Sequence, residues 1–183
     1  RAARTTPGTP VPHNMRLCVV EDVGEQAANI VQDRVQGRAQ AVLGLPTGST
    51  PVRMYAELCR RVEAGTLSMA HVTTFNMDEY VGLGPDDPSS YRHFMRQHLF
   101  DSVPLKASHV PDGTAPDLDR ECARYEELIR QAGGVDLFVA GLGCDGHVAF
   151  NEPGTSLLSR THVAQLAPET VEVNSRGGGP VPS

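Results

Sequence analysis

Ala41-Val42-Leu43-Gly44-Leu45-Pro46-Thr47-Gly48-Ser49-Thr50-Pro51 is the stretch whose reading decides the fold. Five apolar or small residues make a strand. A turn of small residues follows, and Pro51 falls at the first helical position, where a missing N–H costs nothing and a fixed φ suits the helix. Ser49 or Thr50 is the expected cap. Behind it Met54, Tyr55, Leu58 and Val62 recur at helical spacing, and Gly65 closes the segment.

The same unit repeats along the chain. Upstream, Leu17 to Val20 reads as a short buried strand with Cys18 as a core thiol, and Asp22 caps a helix whose apolar positions are Val23, Ala27, Ile30, Val31 and Val35, ended by Gly37. Downstream, Val72 to Phe75 is a strand and Gly82 to Pro88 a loop. Ser89 or Ser90 opens a helix through Phe94, Met95, Leu99 and Phe100, and His109-Val110 is a short strand. Asp117 starts a helix with Leu118, Cys122, Tyr125 and Leu128 inward. Gly133-Gly134 ends it, and Val135 to Ala140 is the strongest strand pattern of all. Strands alternating with helices predict an α/β fold: a parallel sheet with helices on both faces. There is no internal repeat. After Pro153 the rhythm weakens. Residues 1–14 read as a disordered N-terminal extension and residues 177–183, Gly/Pro-rich, as a disordered tail.

Composition narrows the function. A chain of 183 residues fits one domain with a real core. Its formal charge of −6 argues against a nucleic-acid binder, which normally shows a basic face. The four cysteines have neither zinc spacing nor the look of a secreted disulfide framework, and Cys144 reads as a small spacer. No apolar run approaches the roughly 18 residues of a membrane span. Arg1 to His13 lacks the apolar centre of a secretory signal, so the expected location is the cytoplasm.

Three turns carry the chemistry. In the first, N–H groups at a helix start point at an anion, Gly48 lets the backbone come close, and Ser49 and Thr50 add hydroxyls. The equal alternative is an ordinary capped strand-to-helix turn. In the second, Asn76-Met77-Asp78-Glu79-Tyr80 puts two acids after a strand, only one of which is expected to face the site. Burial and the neighbouring acid raise the pKa of such a carboxyl toward working pH, which suits a base for a proton beside a carbonyl; the alternative is a helix cap or surface acids. In the third, Asp145, His147 and Glu152 lie within Gly141-Leu142-Gly143-Cys144-Asp145-Gly146-His147-Val148-Ala149-Phe150-Asn151-Glu152-Pro153. A histidine between carboxylates is held in one tautomer and suits proton transfer to a sugar ring oxygen. The alternative is a solvated loop histidine. These acids lack the frame of an EF-hand and the spacing of a zinc site, so no metal is expected.

At these residues the chain resembles the glucosamine-6-phosphate deaminase family, also called glucosamine-6-phosphate isomerases, from about Met15 to Arg176. The resemblance rests on Leu43 to Pro51, Thr74 to Leu83, Asp145-Gly146-His147 and Ala149 to Pro153. It implies a Rossmann-like parallel sheet and an enzyme of amino-sugar catabolism, of hydrolase and isomerase character, with no metal or redox cofactor. Its substrate would be glucosamine 6-phosphate, converted with water to fructose 6-phosphate and ammonia. It also implies roles. Asp78 matches the base that moves a proton between C2 and C1. His147 matches the histidine that assists ring opening, and Asp145 and Glu152 the carboxylates that orient it. Gly48, Ser49 and Thr50 match the phosphate loop, and Arg176 a phosphate-binding arginine. A homo-oligomer, in the family often a hexamer, is implied as well. Members continue beyond Arg176 with further strands and helices, so residues 15–176 are expected to form an incomplete domain with impaired stability and activity. His162 and Ala164 stand where regulated members carry basic residues, which speaks against activation by N-acetylglucosamine 6-phosphate. The competing readings are a 6-phosphogluconolactonase-like hydrolase and a non-catalytic sugar-phosphate-binding protein.

Overall fold

Four strands form one sheet in the order β3-β2-β1-β4, with every neighbouring pair parallel. The computed structural model describes residues 17–171 apart from 144, 157, 169 and 170. The expectations for residues 1–14, Cys144, Arg176 and residues 177–183 lie outside the described residues. In chain order the elements are α1 (Val23–Val35), β1 (Ala41–Leu45), α2 (Val52–Glu63), β2 (Val72–Asn76), α3 (Tyr91–Met95), β3 (Ala107–His109), α4 (Leu118–Gln131) and β4 (Leu137–Phe138). The expected α/β architecture with a parallel sheet is thus present.

Alternation along the strands divides the core in two. Ala41, Leu43, Leu45 and Val72 face α1, α2 and the α3 region, packing on Ala28, Val31, Met54, Tyr55, Leu58 and Leu99. The other face presents Val42 and Phe75 to Tyr125, Leu128 and Ile129 around α4. Strand residues two apart share a face, so β1 serves both layers and is buried along its whole length. The α1–α2 contact is fastened by Arg61. Its guanidinium donates to Asn29 Oδ1 (2.7 Å), Gln32 Oε1 (2.9 Å) and Glu57 Oε1 (2.7 Å), which offsets the cost of burying the charge.

Several local expectations are corrected. Leu17 to Val20 is not a strand: Leu17 and Val19 are 86% and 93% exposed, and Cys18 is exposed rather than a core thiol. An apolar run becomes a strand only when a neighbour completes its hydrogen bonds, and no described strand lies beside this one. At α2 the proline sits one place earlier than expected. Pro51 is the cap residue, no side chain caps the helix, and Ser49 and Thr50 are exposed in the turn. The helix opened by Ser90 is α-helical only to Met95 and continues as a π-helical turn over Arg96–Phe100. β4 is two residues long instead of six. The Asp136 carboxylate accepts the Val42 N–H (2.9 Å), so a side chain takes the place of a ladder bond at its start. β3 ends at His109 rather than including Val110, and the His109 ring stacks on Phe75.

The turn after β2 is buttressed from behind. Gly82 N–H donates to Gly113 O (2.7 Å), and a Cβ added at Gly113 would lie 2.1 Å from the Tyr80 carbonyl oxygen. Because that obstacle is main chain, Gly113→Ala is expected to destabilise by about 1–3 kcal/mol. Gly84→Ala meets open space and should stay within about 0.5 kcal/mol of the parent. Urea midpoints of the two variants check this, and equal midpoints would refute the buttress.

Candidate active site

Parallel strands end on one side, so the turns after β1, β2 and β4 meet at a single edge of the sheet. There they enclose a cavity of about 750 Å³ lined by residues 46–52, by Met77, Asp78 and Tyr80, and by residues 139–143 with His147, Ala149 and Phe150. Gly48, Ser49, Thr50, Asp78 and His147 therefore share one cavity.

The β1 turn is open toward it. Gly48 has φ +94°, a left-handed conformation natural to glycine, and a Cβ there would meet nothing within 4 Å. Among the described residues no group accepts a hydrogen bond from the N–H of Gly48, Ser49 or Thr50. The uncapped start of α2 follows at once. With its N–H groups unengaged and its helix start uncapped, this turn can receive an anion.

The two acids after β2 divide their tasks. Glu79 turns away and accepts N–H bonds from Tyr80 (2.8 Å), Tyr91 (3.0 Å) and Arg92 (3.0 Å), so it holds the start of α3. Burial raises its pKa in spite of those three bonds. Asp78 faces the cavity. Burial, and secondarily the charge of Glu79, push its carboxyl up to about 7. An acid poised near neutrality can both take and return a proton.

The third turn aims a histidine. Asp145 Oδ1 lies 2.7 Å from His147 Nδ1 and accepts the His147 N–H at 3.2 Å. These two contacts hold the Asp145 carboxyl below its ordinary range. With Nδ1 engaged, Nε2 is the nitrogen left for chemistry. The ring lies directly over Gly143, where an added Cβ would stand 2.3 Å from it; only glycine allows this approach. Glu152 Oε1 accepts the Ala167 N–H (2.9 Å). Donor atoms of Asp145, His147 and Glu152 all lie within 4.8 Å of one another, close enough for a proton relay and compatible with a cation. Ala149, with φ +53°, carries the strain of this turn.

Sequence patterning missed the aromatic wall. The rings of Tyr80, Tyr91 and Phe150 pack at centroid distances of 4.9, 5.0 and 5.7 Å, and all three line the cavity beside Asp78. Burial drives the Tyr91 phenol far above its ordinary pKa, and the charge of Asp78 adds to the effect. Position after the Ser90 cap was the one local signal available for Tyr91. A second cavity of about 940 Å³ lies beyond this wall. Phe75, Tyr125, Ile129 and Phe138 line it together with Val163 and Leu166, and Asp78 and Tyr80 border both cavities.

The chain is 46% identical over 165 residues to glucosamine-6-phosphate deaminase 2 of Bacillus subtilis, covering 88% of this chain and 66% of that protein. It is 49% identical over 172 residues to the glucosamine-6-phosphate deaminase of Porphyromonas gingivalis (88% and 65%). Among solved structures a monomeric glucosamine-6-phosphate deaminase superposes with TM-score 0.81 at 42% identity, covering 84% of this chain and 64% of that one. A 6-phosphogluconolactonase from Thermotoga maritima, at 24% identity and TM-score 0.59 over 69% of this chain and 57% of its own, shares the fold. The chain thus spans just under two thirds of the length of the relatives it matches. The family model for glucosamine-6-phosphate isomerases/6-phosphogluconolactonase matches residues 17–174, and the chain belongs to that family.

Proposed function

We propose that the chain is an amino-sugar phosphate deaminase, converting glucosamine 6-phosphate and water to fructose 6-phosphate and ammonia. The observation that carries the reading is Asp78: a carboxyl raised to about 7 on the wall of a cavity that also holds an open anion cradle and a carboxylate-held histidine. The phosphate docks on the N–H groups of Gly48, Ser49 and Thr50, with Arg176 as a second contact. His147, oriented by Asp145 and Glu152, delivers a proton to the ring oxygen and opens the sugar. Asp78 then takes the proton from C2 and returns it to C1. Water adds at C2, and the carbinolamine so formed loses ammonia. One carboxyl can serve both transfers because the two carbons are adjacent. No step calls for a metal or a redox cofactor. All these groups belong to one chain, so each copy in a homo-oligomer would carry its own site.

Asp78 acts unprotonated, so turnover is expected to rise with pH along an acid limb centred near 7. Stability moves the other way. The folded pKa of Asp78 stands above its ordinary 3.8, so the fold loses stability as pH climbs from about 4 to about 7 and stays level above. The loss is at most about 4 kcal/mol. Asp78→Asn should therefore abolish ammonia release while raising the thermal midpoint at pH 8 and leaving it unchanged at pH 4. A variant that keeps turnover rejects the base, and one whose midpoint is the same as the parent's at both pH values rejects the buried charge.

Ammonia release from glucosamine 6-phosphate, run beside lactone hydrolysis, separates this reading from the lactonase one. We expect ammonia release, unaffected by a chelator in excess. Lactone hydrolysis alone would replace the proposal. A chelator-sensitive rate would assign a cation to Asp145, His147 and Glu152.

A further inference from the structure

We propose that Tyr55 is a positioning residue that holds the turn after β1 in the shape that receives the substrate's phosphate. The inference rests on the reading above, in which the N–H groups of Gly48, Ser49 and Thr50 take that phosphate. Tyr55 belongs to α2 and is fully buried behind the cavity wall. It is bonded to both ends of the turn. Its hydroxyl donates to the Pro46 carbonyl oxygen at 2.5 Å. Its main-chain N–H donates to the Pro51 carbonyl oxygen at 3.0 Å. The second bond is an ordinary helical one. The first reaches nine residues back, from α2 to the point where the chain leaves β1.

Pro46 has no N–H, so this carbonyl is the one main-chain hydrogen-bonding group it offers. Pro46 is buried, and the carbonyl left unpaired there would cost free energy. The Tyr55 ring needs no oxygen for its packing. It meets Phe94 edge-on at 6.4 Å between centroids, in the cluster that holds Leu45, Met54 and Leu58. The hydroxyl is a polar group in an apolar layer, and Pro46 is where it is satisfied.

Between its two fixed ends the turn is soft by composition. Gly48 is left-handed, and without a Cβ it has other conformations open to it at little cost. Residues 48–50 are exposed, and among the described residues their N–H groups meet no acceptor. Such groups bind a phosphate well only when they already converge on one point. Otherwise binding must first order the turn, and that cost is subtracted from the affinity. Asn76 fixes the Leu45 carbonyl at the end of β1, and Tyr55 carries the hold one residue further. With Pro46 and Pro51 tied to one residue, residues 47–50 span a fixed gap.

Tyr55→Phe is isosteric and removes only the hydroxyl. We expect its dissociation constant for inorganic phosphate to rise about fivefold or more, and KM for glucosamine 6-phosphate to rise with it, while kcat for ammonia release stays within about twofold, because the groups that move protons are untouched. Val31→Ala is the structural reference. Val31 is buried in the same layer, on α1, and lies outside the cavity lining. Its loss of two methyls should lower the thermal midpoint and leave phosphate binding within about twofold of wild type. Three results overturn the inference. One is phosphate binding by Tyr55→Phe indistinguishable from wild type. Another is equal weakening in both variants, which marks general loosening of the layer. The third is kcat falling with KM unchanged, which places the hydroxyl's effect in the chemistry and not in the binding. A wild-type chain that does not bind phosphate defeats the reading of the turn and this inference with it. A wild type that binds phosphate but releases no ammonia defeats the deaminase reading alone, and the comparison of phosphate binding still decides the role of Tyr55.

Discussion

Parallel pairing of β1 with a strand on each side is the constraint on which the rest depends. Parallel neighbours send their carboxyl ends to the same edge, so each must be followed by a turn at that edge. Register then sets which residues meet. Leu45 lies opposite Asn76, so the Gly48 turn and the Asp78 turn leave the sheet side by side. The Asn76 side chain donates to the Leu45 carbonyl at 3.2 Å and ties the two exits together at a fully buried point. A one-residue slip would turn Leu43 and Leu45 out of the core, which is why the pairing is strongly specified.

Placing an acid where its charge is disfavoured has a consequence for the neighbourhood. Asp78 lies against Glu79, and burial disfavours the charge on both. The fold separates their duties instead of separating the residues: Glu79 receives three main-chain N–H groups, and Asp78 keeps the cavity. The same economy appears at Asp145, where one carboxylate oxygen, Oδ1, meets both the main chain and the ring of His147.

The wall that holds Asp78 is thin. One cavity lies toward the anion cradle and α3, the other toward α4. Residues 159–166 run along the second, fastened at Thr161 to Glu126 of α4 and, through the following Ala167, to Glu152. Glu152 thereby joins the histidine turn to the layer on the α4 side of the sheet.

The α/β class, both amphipathic helices α1 and α4 with their Asp22 and Asp117 caps, and β1 were legible from period and punctuation, because these are local signals repeated over many residues. The three chemistry-bearing turns were legible too, since each stands where an apolar run stops. What local pattern could not reveal was anything decided by a neighbour. Leu17 to Val20 has the composition of a strand and no partner among the described strands, and Val135 to Ala140 kept two paired residues, with the Asp136 carboxylate standing in for a ladder bond at the start. Pro51 moved to the cap and left the cradle open. The roles of Asp78 and Glu79, identical in sequence context, were separated only when α3 offered its N–H groups to one of them. Sequence by itself determined which residues are apolar, which bend and which can carry a proton. Tertiary structure decided which of them meet, because hydrogen-bond partners and burial are properties of a place in space rather than of a position along the chain.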